Sequence, residues 1–171
     1  MARLAAIVGQ PIEDVLAPPG LSVWQRAQRV LQGSEAWQTF QPWLDQYNPR
    51  LAFNVARGLV QGSSFTDQDR AAAALVRLEA QARLRRLLPP GTILALPTTP
   101  FPAPLRGLSL GDLDFPRTRI SCLTCLGGLS GCPQVNLPGA TVDGAPVGLS
   151  IVGARGSDLE LLAVAKAFAG G

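Results

Sequence analysis

The chain of 171 residues contains no histidine and one lysine, Lys166. Without histidine, these residues cannot assemble a Ser-His-Asp triad, a Cys-His pair or a histidine-bearing zinc site. Cysteine is sparse: Cys122 and Cys125 form C-x2-C, and Cys132 follows. Zinc would need a fourth ligand, and an odd cysteine count does not make a disulfide framework. The expectation is three thiols packed as small apolar groups, with redox coupling of Cys122 and Cys125 as the lesser reading. No metal and no cofactor is expected.

Long apolar runs are also missing. Leu4 to Val8 is shorter than a secretory core and is followed by Pro11, Glu13 and Asp14, and nothing approaches the roughly 20 residues that span a bilayer. The expected setting is cytoplasmic, without membrane contact. Fifteen basic residues against twelve acidic leave +3, and apart from Arg83, Arg85 and Arg86 the basic residues are scattered, so nucleic acid is not an expected partner. Those three arginines are read as a solvated helix C-terminus, where cations suit the helix dipole.

What is present is 47% hydrophobic content, 18 glycines and 15 prolines, enough for one globular unit with its own core. The N-terminal half reads as helical. Ser22 to Gln25 has a capping-box pattern, with Trp24, Ala27, Val30 and Leu31 at helical spacing until Gln32-Gly33 closes the segment. Trp37, Phe40 and Trp43 are expected on the same core, with a break at Pro42. Asn48-Pro49 reads as an N-cap and first-turn proline opening a helix to about Val60, and Gly62-Ser63-Ser64 as a loop. A helix from Asp67 to about Leu88 follows, capped by Thr66 with Asp69, its apolar stripe being Ala71, Ala74, Leu75, Leu78 and Ala82.

The second half is expected to be strand-rich. Thr92 to Leu96 is short, apolar and bounded by Gly and Pro, the pattern of a strand buried on both faces. A proline-rich loop runs to Pro116, then a short helix from Thr118 to Leu126 and a small-residue turn from Gly127 to Gly131. That Gly127-Gly128-x-x-Gly131 run precedes a strand, the wrong context for a dinucleotide fingerprint. Pro133 to Pro138 and Val147 to Val152 are expected strands joined at Asp143-Gly144. Ser157 to Glu160 reads as a second capping box, opening a helix with Leu161, Leu162, Ala165 and Phe168 inward and Gly170 as its C-terminal cap. The segment from Gly153 to Ser157 reads as a capped helix start with Arg155 in solvent rather than an anion site. The class is α/β, with three strands forming a thin sheet for so much apolar surface.

Four of these elements occur in a telling order: Leu96-Pro97-Thr98-Thr99-Pro100, Gly131-Cys132-Pro133-Gln134-Val135, Gly144-Ala145-Pro146-Val147-Gly148 with its strand to Gly153, and the leucine-rich helix from Leu159 to Phe168. Together they resemble the C-terminal segment of amidase signature enzymes, firmly over residues 66–171 and loosely before. The flavour is closest to indole-acetamide amidases and related bacterial amidases. The resemblance implies the C-terminal part of that fold, helices packed on a partial mixed β-sheet, with residues 1–171 as a single partial domain.

It also implies hydrolysis of an amide to a carboxylate and ammonia by a serine nucleophile, a bridging serine and a neutral lysine, without metal. The Gly-Gly-Ser-Ser-Gly-Gly signature and its upstream lysine are not in this sequence. Gly62-Ser63-Ser64 is not that signature, and Lys166 lies on a terminal helix outside any family motif. What the resemblance leaves is a pocket wall, with Thr98, Thr99, Ser121 and Cys122 as candidate lining. The position matching Ser121 is acidic in the related amidotransferase subunit, where it reads the glutamine amine, so an uncharged serine implies a less polar substrate.

The expected function is therefore the C-terminal portion of an amidase, inactive alone, with a small-molecule amide as partner once an N-terminal part completes it. A non-catalytic binding module and one half of a split amidase are the alternatives. An open sheet edge, at Thr92 to Leu96 and Val147 to Val152, would favour homo-oligomers or aggregation.

Overall fold

The computed structural model describes residues 2–170. Its helices and strands are α1 (Ala2–Val8), α2 (Leu21–Tyr47), α3 (Phe53–Ser63), α4 (Asp67–Leu87), β1 (Leu94–Pro97), α5 (Leu110–Ser130), β2 (Gln134–Val142), β3 (Ala145–Val152) and α6 (Asp158–Gly170). No helix among the described residues is long and apolar enough to cross a membrane.

The strands form one sheet in the order β1-β3-β2, both pairings antiparallel. Because strand side chains alternate, consecutive residues serve opposite faces. Leu94, Leu96 and Val152 join Trp24, Ala27 and Leu31 of α2, Ala80 and Leu84 of α4, and Leu126 and Leu129 of α5 in one core. Ala95, Leu137 and Ile151 point the other way, onto Leu4 of α1 and Leu161, Val164 and Phe168 of α6. The result is helices, sheet, helices, with Ile151 and Val152 both fully buried at the end of β3.

The α/β class stands, and several local expectations change. β3 is the central strand, so the open edges belong to β1 and β2. Burial on both faces applies to the end of β3, whereas Leu94 and Ala95 of β1 are half-buried because β1 lies at an edge. The hairpin turn is at Asp143 and Gly144, both with positive φ, the combination that matches strand twist. β2 extends past Pro138 through an irregularity between Leu137 and Ala140, where Gly139 takes φ 122°.

Neither Gly33 nor Pro42 ends α2, and its N-cap is Gly20, with no side-chain cap at Ser22. Gly33 is instead a crossing point: a Cβ on Gly62 would stand 2.2 Å from the Gly33 carbonyl oxygen, so α2 and α3 meet backbone to backbone. Asn48 is the left-handed C-cap of α2, and α3 begins later, after Ala52. The Thr66–Asp69 capping box is formed as expected. The stripe on α4 is not: Leu75 and Leu78 are exposed, and Ala73, Ala80 and Leu84 face inward, the two alanines letting the neighbouring helices pack closely.

α5 is longer than expected, running through Pro116 and the Gly127-Gly128 pair to a left-handed cap at Gly131. At the start of α6 the Ser157 hydroxyl donates to the Ala154 carbonyl at 2.7 Å, so the second capping box does not form as expected. Leu162 is exposed, and Gly170 lies within the helix. Arg83 is not a solvated terminus, since its guanidinium pairs with Asp14 at 2.8 Å and bonds to the Val15 carbonyl. It pins the segment between α1 and α2 onto α4.

Candidate functional site

α2, α3 and α5 surround a groove of about 900 Å³, within the range of small-molecule sites. α2 contributes Gln25, Gln28 and Arg29, then Gln32, Ala36, Phe40 and Trp43, a continuous stripe at helical spacing. α3 contributes Asn54, Val55 and Gly58 opposite, and α5 contributes Ser121, Thr124, Cys125 and Gly128 at the inner end. Side chains tie the walls together. The Arg29 Nε donates to Gln61 Oε1 at 3.1 Å, and Arg57 reaches Asp114 with two bonds of 3.0 and 2.6 Å.

The groove is chemically graded along its length. Phe40 and Trp43 meet edge to face, ring centroids 6.5 Å apart, at the far end of the α2 stripe. They stand partly exposed at the groove rather than in the core with Trp24. Glutamines, Ser121 and Thr124 supply the polar end, and Arg29 is the one charged residue in the lining. The thiol of Cys125 is pushed up to about 11 by burial and by neighbouring Cys122, so it is neutral at physiological pH. Arg57 beside Asp114, through hydrogen bonding first and charge second, holds that carboxyl below its usual range.

Of the four residues singled out from the sequence, Ser121 lines this groove. Cys122 sits behind it, half-buried, its carbonyl accepting from the Cys125 thiol at 3.6 Å. Thr98 and Thr99 lie beyond β1 and do not line the groove. The Thr99 hydroxyl donates to the Phe101 carbonyl at 2.8 Å.

Thr98 belongs to a polar cluster over the sheet. The Gln134 Nε2 donates to Ser150 Oγ at 3.1 Å, Ser150 and Thr98 hydroxyls are 3.0 Å apart, and Thr98 donates to Asn136 Oδ1 at 2.5 Å. With one proton per hydroxyl, Ser150 must donate to Thr98, giving a chain that runs in one direction. A Cβ at Gly148 would lie 1.8 Å from Asn136 Oδ1 and 2.9 Å from Thr98 Oγ1. The glycine of the Pro146-Val147-Gly148 motif is thus the space the cluster occupies.

No hydrogen bond joins a serine hydroxyl to Lys166 among the described residues. The Ser63 and Ser64 hydroxyls donate to the Val60 and Gln61 carbonyls, and Lys166 is exposed on α6, across the sheet from the groove. No group of three or more potential metal ligands gathers among the described residues. The groove residues of α2 and α3 were not evident from the sequence, where these helices read only as core. The legible signal was three uncharged glutamines, Gln25, Gln28 and Gln32, recurring on one helix face.

No family model matches the chain. It is 32% identical over 149 residues to Amidase 1 of Oryza sativa subsp. japonica, an alignment spanning 86% of this chain and 34% of that protein. A crystal structure of an amidase superposes with a TM-score of 0.68 at 28% identity, over 83% of this chain and 34% of that one. A bacterial aryl acylamidase of the amidase signature family shares the fold, with a TM-score of 0.72 at 21% identity over 98% of this chain and 38% of that one. The chain spans about a third of the length of these relatives. With the Pro-Thr, Gly-x-Pro and Pro-Val-Gly elements folded as β1, the α5–β2 turn and β3, the chain is similar in sequence and fold to the C-terminal segment of amidase signature enzymes.

Proposed function

We propose that this chain forms one wall of the substrate site of an amidase signature hydrolase, which converts an amide and water to a carboxylate and ammonia. In this reading the chain is silent alone. The serine nucleophile, the bridging serine and the neutral lysine that would deprotonate them come from the two thirds of the relatives' length that the chain does not span. So do the backbone donors for the oxyanion. Ser121 faces the substrate, and Thr98, Thr99 and Cys122 complete the lining in the assembled protein. A cytoplasmic setting fits the three free cysteines.

The observation that carries this reading is a disproportion. The relationship extends over 86% of this chain but 34% of the rice relative, and the groove it contributes holds polar and apolar lining without a serine–lysine pair among the described residues. Incubating the purified chain with a panel of primary amides, with ammonia release as readout, is expected to give no turnover. Hydrolysis that a serine-directed acylating reagent abolishes would overturn it.

A further inference from the structure

Three helices make the groove, and each brings an arginine to the same place. Arg29 of α2 lines the groove, Arg57 of α3 stands beside Gly58 of the lining, and Arg117 of α5 comes one helical turn before Ser121. All three act on one carboxylate. Arg57 grips Asp114 with two bonds of 3.0 and 2.6 Å. That hydrogen bonding, followed by the charges of Arg57, Arg117 and Arg29, lowers the Asp114 carboxyl from its ordinary value. The other carboxylate at this end of α5, Asp112, is engaged by Ser109, whose hydroxyl donates to it at 2.6 Å.

The pairing is unequal. Asp114 has two oxygens and Arg57 occupies both, so Arg29 and Arg117 are left without a carboxylate of their own among the described residues. The Arg29 Nε donates to Gln61 Oε1, which ties down one edge of the guanidinium and leaves its terminal amines without a partner among the described residues. Like charges gathered from three separate elements repel one another, and one counter-charge offsets one of the three. A planar guanidinium with free terminal amines matches a carboxylate, to which it donates two parallel N–H bonds. The same groove carries the apolar side chains of Val55 and Leu59.

We propose that the junction of α2, α3 and α5 is a carboxylate site: Arg29 and Arg117 receive the head of an organic acid, whose apolar body lies along Val55 and Leu59. Its consequence rests on the amide-site reading above. An acid is what amide hydrolysis releases, so the product is held where a neutral amide gains nothing from the arginines. Release of the acid is then slowed, and the complete enzyme is inhibited by its own product. The arginines are exposed, so the attraction is screened and modest.

The test is binding of hexanoate, hexanamide and inorganic phosphate to the full chain, kept dilute enough to stay monomeric and followed by calorimetry and by the Nε–H resonances of its arginines. Hexanoate is expected to bind about fivefold tighter than hexanamide, which has the same length without the charge. It should shift the Arg29 resonance and lose its advantage in high salt. Phosphate, with no apolar body, is expected to bind more weakly. Arg29→Gln and Arg117→Gln should each reduce the preference for the acid and leave hexanamide unchanged. Asp114→Asn removes the internal competitor and frees Arg57, so it should tighten hexanoate about threefold, an effect that a purely structural role of Asp114 would not produce.

Equal binding of acid and amide would overturn the inference and leave the amide reading standing. Phosphate binding as tightly as hexanoate would overturn the assignment to an organic acid. Unchanged or weaker hexanoate binding in Asp114→Asn, with folding confirmed by circular dichroism, would show that the arginine cluster does not hold the acid. No binding of either acid or amide would remove the groove from both readings.

Discussion

Single atoms decide the polar cluster above the sheet. Gly148 is held not by its backbone angles but by the Asn136 and Thr98 side chains that occupy the place of a Cβ. Gly148→Ala must displace one of them and break a chain in which Ser150, 1% exposed, has no water to fall back on. The expected loss is about 1–3 kcal/mol, the cost of a buried polar group left unpaired, read as a lowered urea midpoint with unchanged slope. Wild-type stability in this variant would mean that the cluster relaxes freely.

Cys125 supplies a second residue-level expectation, with a definite sign. Its folded-state pKa is raised from 9.0 to about 11, so the neutral thiol is favoured by folding and its contribution is complete below pH 9. That contribution is lost as pH rises through about 11. Unfolding midpoints should fall across that window, and Cys125→Ala should flatten the fall. A variant with the same alkaline profile would assign the fall to other groups.

At the scale of elements, surface ion pairs join α3 to α5 across the groove and the segment between α1 and α2 to α4. Asp114 and Asp14 are both held below the usual carboxylate range, by Arg57 and Arg83 respectively, through hydrogen bonds first. Depressed carboxylates contribute above their ordinary value of 3.8 and lose the contribution as pH falls through the folded-state value. Both groups are exposed, so the effect is salt-dependent and modest. Arg57→Gln should therefore lower the midpoint at pH 7 in low salt and make no difference near pH 2. Equal effects at both pH values would show that Arg57 acts through packing.

The elements also show what the sequence discloses and what it withholds. The Thr66 cap, the Asp143-Gly144 hairpin and the Pro-Val-Gly strand were readable because each is a local preference that tertiary packing left alone. The ends of α2 and α5 were not, because Gly33, Pro42, Pro116 and Gly127 are breakers that packing overrode. α4 carries two apolar stripes, and periodicity cannot tell which one faces the core. Ser121, named through the family motif, lies in the groove lining, whereas Gln28 depends on α2 lying against α5 and the aromatic pair on α2 lying against α3, distance relations that sequence spacing does not contain.

At the scale of the whole molecule, the stripe chosen from the sequence is the one left uncovered. Leu75 and Leu78 are 69% and 60% exposed, and both β1 and β2 present an unpaired edge among the described residues. Apolar surface beside open edges promotes association. The isolated chain is expected to self-associate at tens of micromolar, and Leu75→Lys with Leu78→Lys should reduce the apparent mass in light scattering without loss of helical signal. An unchanged mass would place the contact at the strand edges.

The strand order carries a consequence for timing. β2 and β3 are neighbours in sequence, joined by a two-residue turn, whereas β1 reaches β3 across the whole of α5 and the hairpin. Hairpins close in microseconds, and pairings distant in sequence wait for the intervening chain to be ordered. Substituting Gly144 should thus retard refolding in stopped-flow experiments, while weakening β1 at Leu96 should mainly hasten unfolding; the reverse assignment would mean that the sheet is nucleated from its edge.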